Sequence, residues 1–255
     1  MPLEIVTIPC LSDNYAFLAH DAVSGQTALI DAPEPGPILA ALDARNWKLS
    51  HVLLTHHHWD HVDGLAGILE HHSAKVIGAA ADAHRLPHLD LQVREGDTFE
   101  IGGEPVHVLD VSGHTIGHIA FYMPESTAVF TADSLMALGC GRLFEGTPAQ
   151  MWASLGKLAA LPDETIVCSG HEYTQSNAKF AITVDPDNAA LQQRTKDIDR
   201  ARAAGEPTVP STLALEKATN PFLRATDPGI KTQLGMENAD PVSVFAEIRA
   251  RKDRF

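Results

Sequence analysis

The chain has 255 residues, 44% of them hydrophobic and 20% charged, which supplies a buried core and excludes disorder. A formal net charge of −14 excludes the basic surface that nucleic acid or an anionic membrane demands, and no run of 18 apolar residues offers a membrane span. Cys10, Cys140 and Cys168 are scattered without a CxxC pair, which excludes a disulfide framework and suits a reducing cytoplasm, while Glu4 in MPLEIVTIPC argues against a secretory signal.

Strands are predicted for LEIVTI (3–8), YAFLAH (15–20), TALIDA (27–32) and HVLLT (51–55), runs rich in Val, Ile, Leu, Thr and aromatics. A helix follows Gly36-Pro37, with Ile38, Leu39, Leu42 and Trp47 as its apolar face, and another follows Asp63-Gly64 on Leu65, Ile68 and Leu69. Further strands are predicted at 75–79, 105–111, 118–123 and 128–132. Thr147-Pro148 opens a helix that buries Met151, Trp152, Leu155 and Leu158, and TIVCS (165–169) is the last predicted strand. From about 173 the β signal fades: a helix over 188–204, a loop over 205–212, and a last helix with Asp240 as N-cap, Pro241 at its first position and Val244, Phe245 and Ile248 on its inner face. Charge divides at the same place. Residues 1–175 hold 7 Lys/Arg against 22 Asp/Glu, a balance of −15, whereas 176–255 hold 12 against 11, a balance of +1. All 14 histidines precede residue 172. We therefore expect a mixed α/β domain over 1–172 and a smaller helical one over 173–255.

The densest chemistry is Thr55-His56-His57-His58-Trp59-Asp60-His61, directly after HVLLT. In an extended segment i and i+2 point to one side, so His56 and His58 can share a metal ion, while Asp60 and His61 aim past it from the turn into the next helix. His57 points the other way and is read as a supporting residue; His71, His72, His84 and His88 are read as surface polar groups. Three further candidates sit at predicted strand ends: His114, Asp133 and His171. A catalytic zinc takes about three protein ligands plus water, so these seven side chains are too many for one open site. They suit two ions about 3.5–4 Å apart, with Asp133, alone in sequence, as the expected bridge. Imidazole and carboxylate without thiolate allow zinc, iron or manganese.

These intervals resemble the metallo-β-lactamase superfamily, and LSDNYAFL (11–18), THHHWDH (55–61), SGHTIGH (112–118), GCGRLFEG (139–146), GHEYTQSNAKFA (170–181) and RARKDRF (249–255) resemble its glyoxalase II branch, the hydroxyacylglutathione hydrolases. The resemblance implies an αββα sandwich followed by a C-terminal helical domain. It implies one ion, most simply zinc, on His56, His58 and His114 and a second on Asp60, His61 and His171. Asp133 would bridge them, and a hydroxide held by both would serve as nucleophile, with Asp60 and Asp133 placing it. The implied reaction is hydrolysis of S-D-lactoylglutathione to D-lactate and glutathione, the second step of methylglyoxal detoxification, in a cytoplasmic monomer with no nucleic-acid or membrane partner. Arg142, Phe144, Tyr173, Arg249 and Lys252 would hold glutathione. Arg249 and Lys252, three residues apart on one helix, share a face. The alternative is a glutathione persulfide dioxygenase using a single iron on the same scaffold. Phe144 stands where the family commonly has Tyr, and Ala132 and Ser134 replace the usual Gly and Thr around Asp133. Asp31 is expected to support the THHHWDH loop.

Overall fold

The computed structural model describes residues 1–255. The first sheet takes its strands in chain order: β1 (Glu4–Cys10), β2 (Asn14–His20), β3 (Thr27–Ile30), β4 (His51–Leu54), β5 (Lys75–Ala79) and β6 (Leu91–Val93). Its first three strands pair antiparallel and the rest parallel. The second sheet contains β7 (Thr98–Ile101), β8 (Glu104–Asp110), β9 (Ile119–Met123) and β10 (Ala128–Ala132). A short ribbon, β11 (Leu135–Met136) and β12 (Gly139–Cys140), precedes β13 (Ile166–Ser169) and β14 (Ser211–Thr212), which complete that sheet in the order β14-β13-β10-β9-β8-β7.

Alternation along the second sheet explains the layering. Val106, Val108, Phe121 and Phe130 join Phe17, Leu29 and Leu53 of the first sheet in one core, while their neighbours Val111, Ala120 and Val129 belong to a second core shared with helices. A period of two puts alternate side chains on opposite faces, so β8, β9, β10 and β13 serve both cores. Phe17 meets Phe130 edge-on with ring centroids 5.6 Å apart.

Helices α1 (Pro35–Arg45), α2 (Trp59–Val62) and α3 (Leu65–Leu69) belong to the first half, and Ile38, Leu42, Leu65 and Ile68 bury into its core. Trp47 lies outside α1, because Asn46 caps that helix in the left-handed region at φ 54°. The ring then stacks on His20 with centroids 4.0 Å apart. Helix α4 (Pro148–Ala159) starts on a reciprocal cap between Thr147 and Gln150 and buries Met151, Leu155 and Leu158 against the second sheet. Five helices follow: α5 (Thr174–Val184), α6 (Ala189–Ala203), α7 (Leu213–Thr219), α8 (Pro228–Leu234) and α9 (Pro241–Arg254). In α9 the Asp240 carboxylate accepts from the amides of Val242 and Ser243, and Val244, Phe245 and Ile248 enter the same core as α4.

The loop expected over 205–212 contains β14, which pairs Ser211 with Val167 and Thr212 with Ile166. A two-residue strand is held by backbone bonds and leaves no alternation to read. Beneath the ribbon, Asn220 Nδ2 donates to the carbonyls of Met136 and Gly139, both at 3.0 Å, and Glu216 accepts from the Leu138 amide at 2.9 Å. Arg194 pairs with Glu216 in full burial. The helical segment thus fixes the ribbon that leads into the GCG loop. No helix is long and apolar enough to cross a membrane.

Candidate functional site

All seven candidate side chains converge where strands of both sheets end. His56 Nε2 lies 3.2 Å from His58 Nδ1, which lies 3.0 Å from His114 Nε2. On the other side His61 Nε2 is 3.4 Å from His171 Nε2, and Asp60 Oδ2 is 3.8 and 3.6 Å from those two nitrogens. Asp133 stands between the groups. Its Oδ2 is 3.4 Å from His114 Nε2, while its Oδ1 is 3.2 Å from His171 Nε2 and 3.5 Å from His61 Nε2.

Two triads, His56/His58/His114 and Asp60/His61/His171, each place their ligand-type atoms within 4.8 Å of one another. Imidazole nitrogens this close repel through their lone pairs unless a cation or proton lies between them. Tetrahedral zinc with bonds of about 2.0–2.1 Å would hold its nitrogens about 3.3–3.4 Å apart, close to the observed spacing. Asp133 Oδ1 is buried and receives no hydrogen bond. A buried carboxylate oxygen without a donor is costly, and a cation removes that cost. Hard carboxylate oxygen and borderline imidazole nitrogen, with no sulfur, suit divalent cations.

Outer partners orient the rings. His61 Nδ1 donates to Asp31 Oδ2 at 2.8 Å, His171 Nδ1 to Asp13 Oδ1 at 3.0 Å and His114 Nδ1 to the Arg142 carbonyl at 2.9 Å, which in each case leaves Nε2 directed inward. Asp31 also accepts from the Thr55 amide at 2.9 Å and hydroxyl at 2.8 Å, tying the start of the THHHWDH loop to the end of β3. Asn14 Nδ2 donates to Asp60 at both its carbonyl (3.0 Å) and Oδ2 (3.1 Å). His118 stacks on His56 with centroids 4.6 Å apart and accepts from the Asp133 amide at 3.2 Å. Burial, with nearby His114, pushes His118 down to about 3, so the ring stays neutral and able to accept. Burial likewise depresses His56 strongly and takes His58 down to about 4. It works the same way on His61, yet Asp133 and Asp31 outweigh it and hold that imidazole well above its usual range. Asp133 is the mirror case: burial opposes its charge, but His171 and His61 keep it ionised.

Asp13, Asn14 and His118 were not singled out from the sequence. Asp13 and Asn14 lie within LSDNYAFL and His118 within SGHTIGH, so those stretches were the available signal. Ala132, in the place where the family pattern has Gly, adopts φ 40°, a left-handed conformation that costs a side chain about 1–2 kcal/mol. Gly141 is required by close approach: a Cβ there would sit 1.9 Å from the Asp133 carbonyl oxygen and 2.9 Å from His114 Nδ1.

Above the cluster opens a cleft of about 710 Å³ lined by His58, Asp60, His114, Asp133 and His171 together with Arg142, Phe144, Tyr173, Arg249 and Lys252. His56 and His61 lie fully buried. Tyr173 stacks on His171, 4.6 Å between centroids and 5° from parallel, and Phe144 meets His114 edge-on at 5.2 Å. Arg249 Nη1 donates to the Cys140 carbonyl at 2.8 Å while its Nη2 pairs with Asp253 at 2.9 Å. Lys252 Nζ sits 5.4 Å from the Phe180 and Phe255 rings. Burial and the charges of Arg249 and Arg142 lower its ammonium to about 8. One end of the cleft is therefore cationic within an acidic protein.

Residues 15–171 match the family model of the metallo-beta-lactamase superfamily, and residues 172–255 match that of the hydroxyacylglutathione hydrolase C-terminus. A hydroxyacylglutathione hydrolase of Ruegeria pomeroyi is 73% identical, with the whole of each chain covered. The crystal structure of ETHE1 from Myxococcus xanthus is 26% identical with TM-score 0.64, covering 99% of this chain and 98% of that one. A di-iron-bound form of TTHA1623 is 28% identical with TM-score 0.61, covering 86% of this chain and all of that one. With both family models covering it from Tyr15 to Phe255 and full-length identity at that level, the chain belongs to the hydroxyacylglutathione hydrolases of the metallo-beta-lactamase superfamily.

Proposed function

We propose that the protein hydrolyses S-2-hydroxyacylglutathione thioesters, S-D-lactoylglutathione foremost, to the hydroxy acid and glutathione. The observation that carries this reading is Asp133, whose two oxygens face different triads at the floor of a cleft with a cationic end. We assign His56, His58 and His114 to one divalent ion, Asp60, His61 and His171 to another, and Asp133 to both. Bound there, the pair supplies an acidified water as nucleophile and Lewis-acid polarisation of the thioester carbonyl. Zinc is our choice of metal; iron and manganese suit the same donors. The di-iron form of a relative 28% identical supports two ions over one.

The chain's own residues bind and orient. Arg142 and Lys252 present positive charge to the carboxylates of glutathione, Arg249 adds its charge from beneath, buried with its guanidinium on Asp253 and the Cys140 carbonyl, and Tyr173 and Phe144 line the cleft as flat apolar walls. Asn14 fixes the Asp60 carboxylate so that its charge directs the water. In the reaction a C–O bond forms, the C–S bond breaks, and the proton released by water ends on the glutathione sulfur or in solvent. The free, buried cysteines support a reducing, cytoplasmic setting. A single-iron persulfide dioxygenase would leave one of the two complete triads without a purpose.

Steady-state kinetics on S-D-lactoylglutathione test this reading, alongside oxygen uptake on glutathione persulfide: we expect thioester cleavage and no oxygen consumption, and the reverse would overturn it. Lys252 adds a pH signature. Its amine loses charge as pH rises through about 8, so kcat/KM for the anionic substrate should fall severalfold between pH 7 and 9. Lys252→Arg, which stays charged, should flatten that fall; an unchanged profile would remove Lys252 from the binding face.

A further inference from the structure

The middle histidine of THHHWDH has no place in the reaction above, yet it is not idle. His57 Nδ1 donates to Asp82 Oδ2 at 3.0 Å, and Asp82 is buried. Arg85 Nε donates to the other Asp82 oxygen at 3.0 Å, and the same guanidinium reaches across to Glu145 in a two-pronged pair, Nη1 to Oε1 at 2.5 Å and Nη2 to Oε2 at 3.1 Å. Glu145 Oε2 also accepts from the Ile116 amide at 2.8 Å. A Cβ on Gly117 would fall 2.1 Å from Asp82 Cγ, so the Asp82 seat requires glycine there. The Arg85 hydrogen bonds, with that from the Ile116 amide, outweigh burial and hold Glu145 down to about 2, hence ionised at any working pH.

The segment reached by this chain of contacts carries Arg142 and Phe144. Between the amides of Gly141, which donates to Ser134, and Gly146, which donates to Gly113, no backbone amide of that segment pairs with another backbone group. Side chains anchor it instead: Glu145 to Arg85, the Arg142 carbonyl to His114 Nδ1 at 2.9 Å, and Arg142 Nε 3.9 Å from Asp253. Bidentate guanidinium–carboxylate pairs fix direction as well as distance, which a single hydrogen bond does not.

We propose that Arg85 is a positioning residue for substrate binding: through Glu145 it holds the loop bearing Arg142 and Phe144 over the His58 and His114 side of the cleft, while Asp82 and His57 tie it to the THHHWDH loop. This rests on the glutathione-thioester reading, and the test separates the two. Wild type, Arg85→Ala, Arg85→Lys and Glu145→Gln, each loaded with zinc and checked for metal content and unfolding midpoint, are compared in two assays. One is hydrolysis of S-D-lactoylglutathione; the other is calorimetric binding of the non-hydrolysable thioether S-methylglutathione.

Arg85→Ala is expected to raise KM and the thioether Kd at least fivefold, with kcat within twofold and metal content unchanged. Glu145→Gln should behave alike, and their combination should cost no more than either alone. Arg85→Lys should recover part of the loss. Unchanged KM and Kd in folded variants would overturn the proposal, as would a loss matched by lost metal or by additive effects. If Arg85→Ala does not fold, the isosteric Glu145→Gln carries the same two outcomes. A wild type that binds the thioether without cleaving the thioester would overturn the hydrolase reading alone, and the clamp would stand or fall on Kd; one that does neither would overturn both.

Discussion

Asp133→Ala is expected to lower kcat for S-D-lactoylglutathione by at least about 10³-fold, the scale on which a site loses rate when its charge-stabilising group is removed. The carboxylate is the one side chain whose two oxygens lie within 3.5 Å of nitrogens in both triads. Without it each triad retains three ligand atoms, but nothing from the protein couples them, and metal content should drop from two ions per chain towards one. The His61 bond to Asp31 at 2.8 Å and the His114 bond to the Arg142 carbonyl at 2.9 Å do not involve Asp133, and an unchanged unfolding midpoint separates lost bridging from lost fold. An Asp133→Ala protein that retained two ions and a tenth of the wild-type rate would contradict the bridging assignment. Metal analysis beside kinetics decides it.

Gly141→Ala should do comparable damage with a single methyl group. The added Cβ would lie 1.9 Å from the Asp133 carbonyl oxygen, inside any permitted contact, and the obstacle is backbone, which cannot swing aside as a side-chain end could. Either β10 and its Asp133 turn must retreat or the GCG loop must lift, and the second choice withdraws the Arg142 carbonyl that orients His114. Overpacking of this kind costs about 3 kcal/mol. We expect that loss in urea unfolding, together with at least a hundredfold fall in kcat/KM. Wild-type stability and rate in this variant would show that the loop is not held as the structure has it.

The His/Asp cluster was legible in sequence because four of its members fall within six residues after an apolar strand, so alternation alone set His56 and His58 on one side. Asp133 and His171 were found by a different signal, as polar residues closing apolar runs. Arg249 and Lys252 came from the resemblance carried by RARKDRF; helical spacing only agreed with it, setting both on one face of a well-capped helix. What escaped has a common physical cause. Asp13, Asn14 and His118 act by donating to or accepting from other residues of the site, and such a role needs only one atom in reach, which no spacing rule records. The strands β6, β11, β12 and β14 are too short to show a period, and α5 buries polar Thr174 and Asn177 beside Ala178, Phe180, Ala181 and Val184, which blurs its apolar stripe. Helix α1 stopped two residues before Trp47 because Asn46 tolerates a left-handed cap.

Seven side chains holding two cooperating ions for thioester hydrolysis is the proposal on which the assigned chemistry depends. Its most direct test is to strip the protein with a chelator, titrate zinc back, and follow bound metal and S-D-lactoylglutathione hydrolysis in the same samples. Two ions per chain are expected, with activity absent from the stripped protein and completed only as the second ion binds. Full activity at one ion per chain, or two bound ions with no thioester cleavage, would contradict it.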